Sequence, residues 1–283
     1  MRATGSSASG LPVSPQNFMN QNIREYIEEL IKLEPVFRKA GELAVKMRKT
    51  TSSKNKYNTG IAGVDIVTEA DTAVQEFILL EMAKTKLVDC QIIAEEDTPS
   101  VSKFKGTNGL VLTLDPIDGT IIYASTGRFF STIVTLHNKK DILYTFYNYP
   151  DISWSRRIAE NKIEDSGSFP KIKTRPGLNL KKIIGTSKPQ TKIDSEIYEK
   201  IIGEGYKFSR FSEITDEAGS FTLFFSGTVA GYYMETPNPY DGLVALHYGQ
   251  VKELKVYSDL DISKFTINDH GPHYSGWYVV LSK

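Results

Sequence analysis

Leu114-Asp115-Pro116-Ile117-Asp118-Gly119-Thr120 closes an apolar run that begins at Leu110, and it sets two carboxylates three residues apart where that run ends. Hard cations such as Mg²⁺ bind through carboxylate and carbonyl oxygens together with substrate phosphate. Backbone N–H groups at a turn that opens a helix suit an anion. The heptapeptide therefore offers donors for a metal and a cradle for the phosphate of a phosphate ester. Asp, Pro and Gly are also ordinary turn residues, so a plain strand-to-loop junction would look the same. The acidic residues upstream and downstream decide between the two readings.

These are Asp71, Glu95 and Asp241, which with Asp115 and Asp118 make five positions. Each has a bland explanation. Thr68-Glu69-Ala70-Asp71 resembles a capping box, Asp241 after Pro239 could serve a helix dipole, and Glu95-Glu96-Asp97 could be a solvated loop. The bland readings do not predict that every one of these acids falls where a strand ends or a helix begins. Those are the places where a layered sheet gathers its ligands.

Working outward, apolar residues at helical spacing predict a helix from Ile23 to Met47, kinked or split at Pro35. A basic, polar stretch from Lys46 through Lys56 reads as a solvated loop ending at Gly60 and Gly63, and a phosphate-attracting loop is the sharper alternative. A second helix opens at Thr68, with Ala70, Ala73, Val74, Phe77 and Ile78 on one face; a strand follows at 91–94 and a loop at 103–108. The runs 130–136, 142–149 and 154–158 are aromatic, β-branched and separated by turn residues, as in an antiparallel meander. After a polar stretch at 161–180 come a strand at 183–186, helices at 195–202 and 216–225, a strand at 229–234, a helix at 242–251 and a last strand at 277–281. Mixed elements in this order predict a layered α/β architecture.

At 283 residues and 40% hydrophobic, the chain can fill one large core or two tightly joined lobes. Its 34 basic and 34 acidic residues cancel, which argues against bulk binding to nucleic acid or an anionic membrane. Cys90 is the only cysteine, so no intrachain disulfide forms and a reducing, cytoplasmic location is expected. No apolar run approaches the ~18 residues of a membrane span. The start, Met1 to Gln16, is rich in Ser, Gly and Pro and reads as a tail or an expression scar. The expected division is a tail over 1–20, a lobe carrying the metal and phosphate motif over 21–165, and an α/β lobe over 166–283.

The motifs resemble the inositol monophosphatase superfamily of Mg²⁺-dependent, lithium-sensitive phosphatases. The family's Val-Thr-x-x-Asp, Glu-Glu, Asp-Pro-Ile/Leu-Asp-Gly-Thr and late Trp-Asp read here as Val67 to Asp71, Glu95-Glu96, Asp115 to Thr120, and Tyr240-Asp241. The resemblance implies a five-layered α-β-α-β-α sugar-phosphatase fold, two or three Mg²⁺ ions, a small phosphate-ester substrate and a homodimer. It implies one metal on Glu95, Asp115 and the Ile117 carbonyl, a second on Asp115, Asp118 and Asp241, and a third, weaker one near Glu95 that Asp71 helps to bind. The Gly119 and Thr120 backbone would cradle the phosphate, and Glu95 and Thr120 would position and deprotonate the attacking water. Metal-assisted hydrolysis needs no nucleophilic side chain, and neither Gly-x-Ser-x-Gly nor a Walker loop is present.

Several residues depart from the family pattern. Its polar pair after Gly-Thr is Ile121-Ile122, its small residue before the glutamates is Ala94, and its Trp is Tyr240. Gly242-Leu243-Val244 stands for its Ala-Ala-Gly, and Asp216 to Gly219 for the Gly-Thr/Ser-Ala stretch of the second lobe. Asp115-Pro116-Ile117-Asp118, together with Glu235 near where the resemblance places a hydroxyl-binding Glu, favours a polyol substrate and above all inositol monophosphate. Glu95-Glu96-Asp97 followed by Pro99 favours a 3′(2′),5′-bisphosphate nucleotidase. The altered surroundings of the carboxylates leave a binding protein without turnover as the rival from another class.

Overall fold

In the computed structural model a 33-residue helix, α1 (Pro15–Met47), runs unbroken past Pro35. The structure describes residues 15–48, 53–55, 66–236, 238–264, 267–268, 271–272 and 276–282. A proline inside a helix removes the hydrogen bond to the carbonyl four residues back. Here Pro35 sits on the exposed side, where water can serve that carbonyl, while Leu30, Phe37, Ala40 and Ala44 are buried on the other. The expected split is therefore absent, and residues 15–20, expected as tail, belong to the helix.

Strand β1 (Ser53–Asn55) pairs antiparallel with β2 (Ile66–Thr68), so part of the basic stretch read as loop is extended ladder. Lys46 and Met47 finish α1, and the remainder beyond Arg48, with Gly60 and Gly63, lies outside the described residues. Helix α2 (Glu69–Met82) starts directly after Thr68. It is followed by β3 (Gln91–Ala94), β4 (Val111–Asp118), α3 (Thr120–Ser125), β5 (Ser131–His137), β6 (Ile142–Tyr149), β7 (Trp154–Ala159) and β8 (Lys162–Ser166). β3 to β8 form one sheet in sequence order, parallel only between β3 and β4. One face, through Leu112, Leu114, Val134, Leu136, Tyr144 and Phe146, packs on α1 and α2.

β8 was not expected from sequence, because it is an edge strand with almost no buried side chain. It is held instead by charge across the ladder. Arg156 makes two bonds to Asp165, at 2.5 and 2.7 Å, and Arg157 bonds Glu164. The Arg156 guanidinium also lies over the Trp154 and Tyr248 rings, at 5.1 and 4.9 Å.

The second half holds β9 (Ile183–Thr186), α4 (Ser195–Gly203), β10 (Lys207–Arg210), α5 (Phe211–Ile214), α6 (Ser220–Phe225), β11 (Gly231–Thr236), α7 (Pro239–Gly242), α8 (Val244–Val251) and β12 (Lys255–Ser258). A small ladder, β13 (Ile267–Asn268) with β14 (Gly271–Pro272), precedes β15 (Gly276–Leu281). The second sheet has the order β10-β9-β11-β15-β12. Strand side chains alternate between faces. Tyr232, Tyr278 and Val280 accordingly join a central core with α6, α8 and the rear of the first sheet, at Ile133, Tyr147 and Trp154. Their neighbours Tyr233, Trp277, Val279 and Leu281 join a third core under Ile201 of α4. The layers are thus α1/α2, sheet, α6/α8, sheet, α4, which is the expected α-β-α-β-α order. Among the described residues no helix is long and apolar enough to cross a membrane.

The helix expected from Asp216 begins only at Ser220. The Glu217 N–H donates to Thr215 Oγ1, Glu217 Oε2 accepts from the Lys173 N–H, and Asp216 Oδ1 accepts from Arg175. Those bonds hold 216–219 out of helical geometry.

Two histidines lie in this interior. Burial pushes both His137 and His247 down to about 4; His247 Nδ1 sits 2.9 Å from Thr145 Oγ1. A histidine depressed in the fold binds its proton more readily when unfolded, so stability is full above pH ~6.5 and lost as pH falls toward 4. Urea unfolding is expected to show a loss of about 2 kcal/mol per histidine by pH 5. Replacing His247 with Gln should flatten that slope, and an unchanged slope would remove His247 from the explanation.

Candidate active site

The Asp115–Asp118 segment is a bulged strand, where the sequence suggested a turn. Asp115 faces Ile133 on β5, yet Asp118 faces Ser131, so three steps on β4 match two on β5. In a regular strand residues three apart point to opposite faces. The surplus residue restores a common face, and Asp115 and Asp118 line the same cleft. A bulge also frees main-chain groups from the ladder. Thr132 Oγ1 donates to the Pro116 carbonyl at 2.9 Å, and Thr120 Oγ1 donates to the Ile117 carbonyl at 3.2 Å.

Gly119 follows with φ 85°, ψ 40°, a left-handed turn that favours glycine and aims α3 away from the sheet. The far end of α3 is tied to α1. Arg48 Nε donates to the Tyr123 carbonyl at 3.1 Å, and the Tyr123 hydroxyl donates to the Ala44 carbonyl at 2.8 Å. Withdrawal from water holds the Asp118 carboxyl up at about 6, partly offset by the bond from Ser131 Oγ at 3.0 Å.

The parallel pairing of β3 with β4 sets the next acid. The Glu95 N–H donates to the Leu114 carbonyl at 3.1 Å, one step past the Ala94–Leu114 pair, so Glu95 stands beside Asp115. Asp71 comes in from the first turn of α2. Ligand oxygens of Asp71, Glu95 and Glu96 all lie within 4.8 Å of one another. Glu96 was not among the residues expected to hold metal. Gln75 was missed altogether: one turn after Asp71 and fully buried, its Oε1 accepts from the Glu96 N–H at 2.9 Å and its Nε2 donates to the Glu96 carbonyl at 2.5 Å. A polar residue four after Asp71, on a face otherwise apolar, was the signal for it.

A cleft of about 280 Å³ opens between the sheets. Glu95, Asp115, Ile117, Asp118, Gly119 and Thr120 line it, together with residues from the second half of the chain. Phe129 belongs to the lining and was not foreseen. Its φ of 56° is unusual for a bulky residue, and it is held by its N–H bond to Asp151 Oδ2 at 3.0 Å. Asp241 lies in α7, which packs against β4, while its side chain is outside the described residues. Glu235 is not brought to the cleft. Strand alternation puts Tyr232 and Met234 on the cleft side of β11 and Glu235 on the other, where its Oε2 accepts from the Tyr233 hydroxyl at 2.8 Å.

The donors gathered here are carboxylates and one main-chain carbonyl, the set that hard divalent cations prefer over zinc or copper. Comparisons agree with that chemistry. The inositol monophosphatase family profile matches residues 27–241, which include all the acids above. Inositol monophosphatase 2 of Mus musculus is 34% identical over 82 residues, 29% of this chain and 27% of that protein, so the aligned stretch spans about a quarter of that relative. An IMPase of Thermotoga maritima superposes with a TM-score of 0.60 at 19% identity, covering 89% of this chain and 92% of that one. An IMPase/NADP phosphatase complexed with NADP and Ca²⁺ superposes at 0.57 and 14% identity, covering 96% and 93%. At these identities the superpositions bear on the fold, and the profile match bears on descent. The chain belongs to the inositol monophosphatase family, whose motifs its sequence resembles.

Proposed function

We propose that this chain hydrolyses a small phosphate monoester with Mg²⁺ held by Asp71, Glu95, Asp115, the Ile117 carbonyl, Asp118 and Asp241. The observation that carries the reading is the Asp71–Glu95–Glu96 cluster standing beside two carboxylates turned to one face by a bulge. When bound, the ion supplies Lewis-acid stabilisation and lowers the pKa of the attacking water. The protein's own part is positional. Gly119 and Thr120 present backbone N–H groups toward the phosphate, and Glu95 and Thr120 orient the water and take its proton. The water oxygen joins phosphorus, the ester P–O bond breaks, and the alcohol leaves with a proton.

The expectation of inositol monophosphate rested on Asp115-Pro116-Ile117-Asp118 and on Glu235; the motif lines the cleft but Glu235 faces away from it, so the reading stops at a phosphate monoester. Support for other esters comes from the neighbour complexed with NADP. The test is phosphate release with and without Mg²⁺, then with Li⁺ added. Release that needs Mg²⁺ and falls with Li⁺ is expected. Clustered carboxylates repel one another until a cation sits among them. Saturating Mg²⁺ should therefore stabilise the fold by about 2–3 kcal/mol at a hundredfold excess over Kd, beyond a salt of equal ionic strength. Stabilisation without turnover on any ester would favour the binding protein.

A further inference from the structure

We infer that the alcohol side of this cleft takes an apolar, ring-bearing leaving group, with Met234 setting the preference; the inference rests on the phosphatase reading above. Among the described residues lining the cleft, the charged ones are Glu95, Asp115 and Asp118, all in the proposed metal set. The remaining wall combines large apolar side chains, chiefly Ile121, Ile122, Phe211, Phe221, Tyr232 and Met234, with the smaller polar Ser187, Ser220, Thr222 and Asn238. The polar side chains could partner some hydroxyls of a polyol, but those set against the isoleucines, phenylalanines and Met234 would go without. A buried hydroxyl without a partner costs about 1–3 kcal/mol, whereas a ring loses nothing of the kind.

Position 234 is where the choice is made. β11 has a carboxylate at 235, but the pairing of Glu235 with Trp277 and of Met234 with Tyr278 fixes its register. The acid is thereby committed to the face of Tyr233, and a thioether takes the place in the cleft. The Tyr232 hydroxyl donates to Met234 Sδ at 3.0 Å, which anchors that side chain. Thioethers favour the edges of aromatic rings. At the mouth, Ile121 is 46% exposed, one of the few large apolar side chains left in water. Ile122 reaches across to α6, with its Cδ1 3.4 Å from where a Cβ on Gly219 would stand. A ring entering the cleft would cover both isoleucines.

Benzyl phosphate and inositol 1-phosphate are both esters of aliphatic alcohols, so their kcat/KM values compare subsites and not leaving-group acidity. With Mg²⁺ the wild type is expected to favour benzyl phosphate by roughly tenfold or more. Met234→Glu should cut that ratio by about tenfold, while Met234→Leu keeps it. Ile121→Asn, at an exposed position that the fold does not need, should lower the ratio severalfold and guards against misfolding of the partly buried Met234 variant. Benzylphosphonate, which cannot be hydrolysed at a P–O–C bond, should raise Tm more than inorganic phosphate does. A preference for inositol 1-phosphate, or a ratio that neither variant moves, overturns this inference and leaves the phosphatase standing. Release from neither ester, nor from 4-nitrophenyl phosphate, overturns the phosphatase and this inference with it.

Discussion

Asp118→Asn is expected to leave the fold intact and to lower Mg²⁺-supported phosphate release by on the order of 10²–10³-fold. Asn has nearly the shape of Asp, so the bond from Ser131 Oγ keeps an acceptor. What disappears is one negative charge on the bulged segment, facing the cleft. Carboxylates there have two duties: they attract the cation, and they fix where its field acts on the phosphate. Losing one should weaken Mg²⁺ binding and misplace what still binds. The rise in Tm on adding Mg²⁺ should therefore shrink in the variant, while the metal-free Tm stays level or increases. Phosphate-release rates and thermal melts at a series of Mg²⁺ concentrations separate these effects. Turnover close to wild type would take Asp118 out of the machinery.

The largest expected loss of stability lies elsewhere, at Glu34. Buried on α1, this carboxylate accepts from Arg157 at 2.9 Å, from Arg38 at 3.3 Å and from the Tyr144 hydroxyl at 3.3 Å. It ties the first helix to β6 and β7. Tyr144 is fully buried, and burial together with the nearby carboxylate pushes its hydroxyl well above the usual range. Removing one partner of a buried pair leaves the others desolvated, which costs about 3–5 kcal/mol. The low end is expected for Glu34→Ala, because Arg157 keeps Glu164 and Arg38 keeps Ser155. At roughly 2–4 °C per kcal/mol for a chain of this size, Tm should fall by on the order of 6–12 °C. Glu34→Gln, which retains an acceptor, should lose clearly less. Equal losses would mean that the cavity matters and the bonds do not.

Much of this fold could be read from the sequence because burial leaves a period. The meander β5–β7, strands β3 and β15 and helix α4 all have a buried face, and their apolar residues recur accordingly. β8, β10 and β12 escaped notice for the opposite reason: these edge strands bury little, so they carry no alternation to detect. Pro35 was given too much weight because the sequence does not say which side of the helix faces water. The site followed the same logic. Its acids were legible as residue types in a fixed order, but the direction each one takes depends on register. A one-residue difference in strand parity moved Glu235 out of the cleft and brought Met234 into it. Gln75, whose work is to hold the Glu96 peptide, has no chemistry of its own to advertise.

The bulge in β4 bears on how such a site can be lost. Each carboxylate in the cluster is a single codon away from an amide or an alanine, and any one change can silence it. The Ile117 carbonyl belongs to the main chain, so no substitution at 117 deletes it. Changes there, at a fully buried position, would be judged by how well they fill the interior. That oxygen is removed only by an insertion or deletion that re-registers β4 against β5. Point mutation and length change thus reach different parts of the same centre, and a scan confined to substitutions would miss one of its proposed donors entirely.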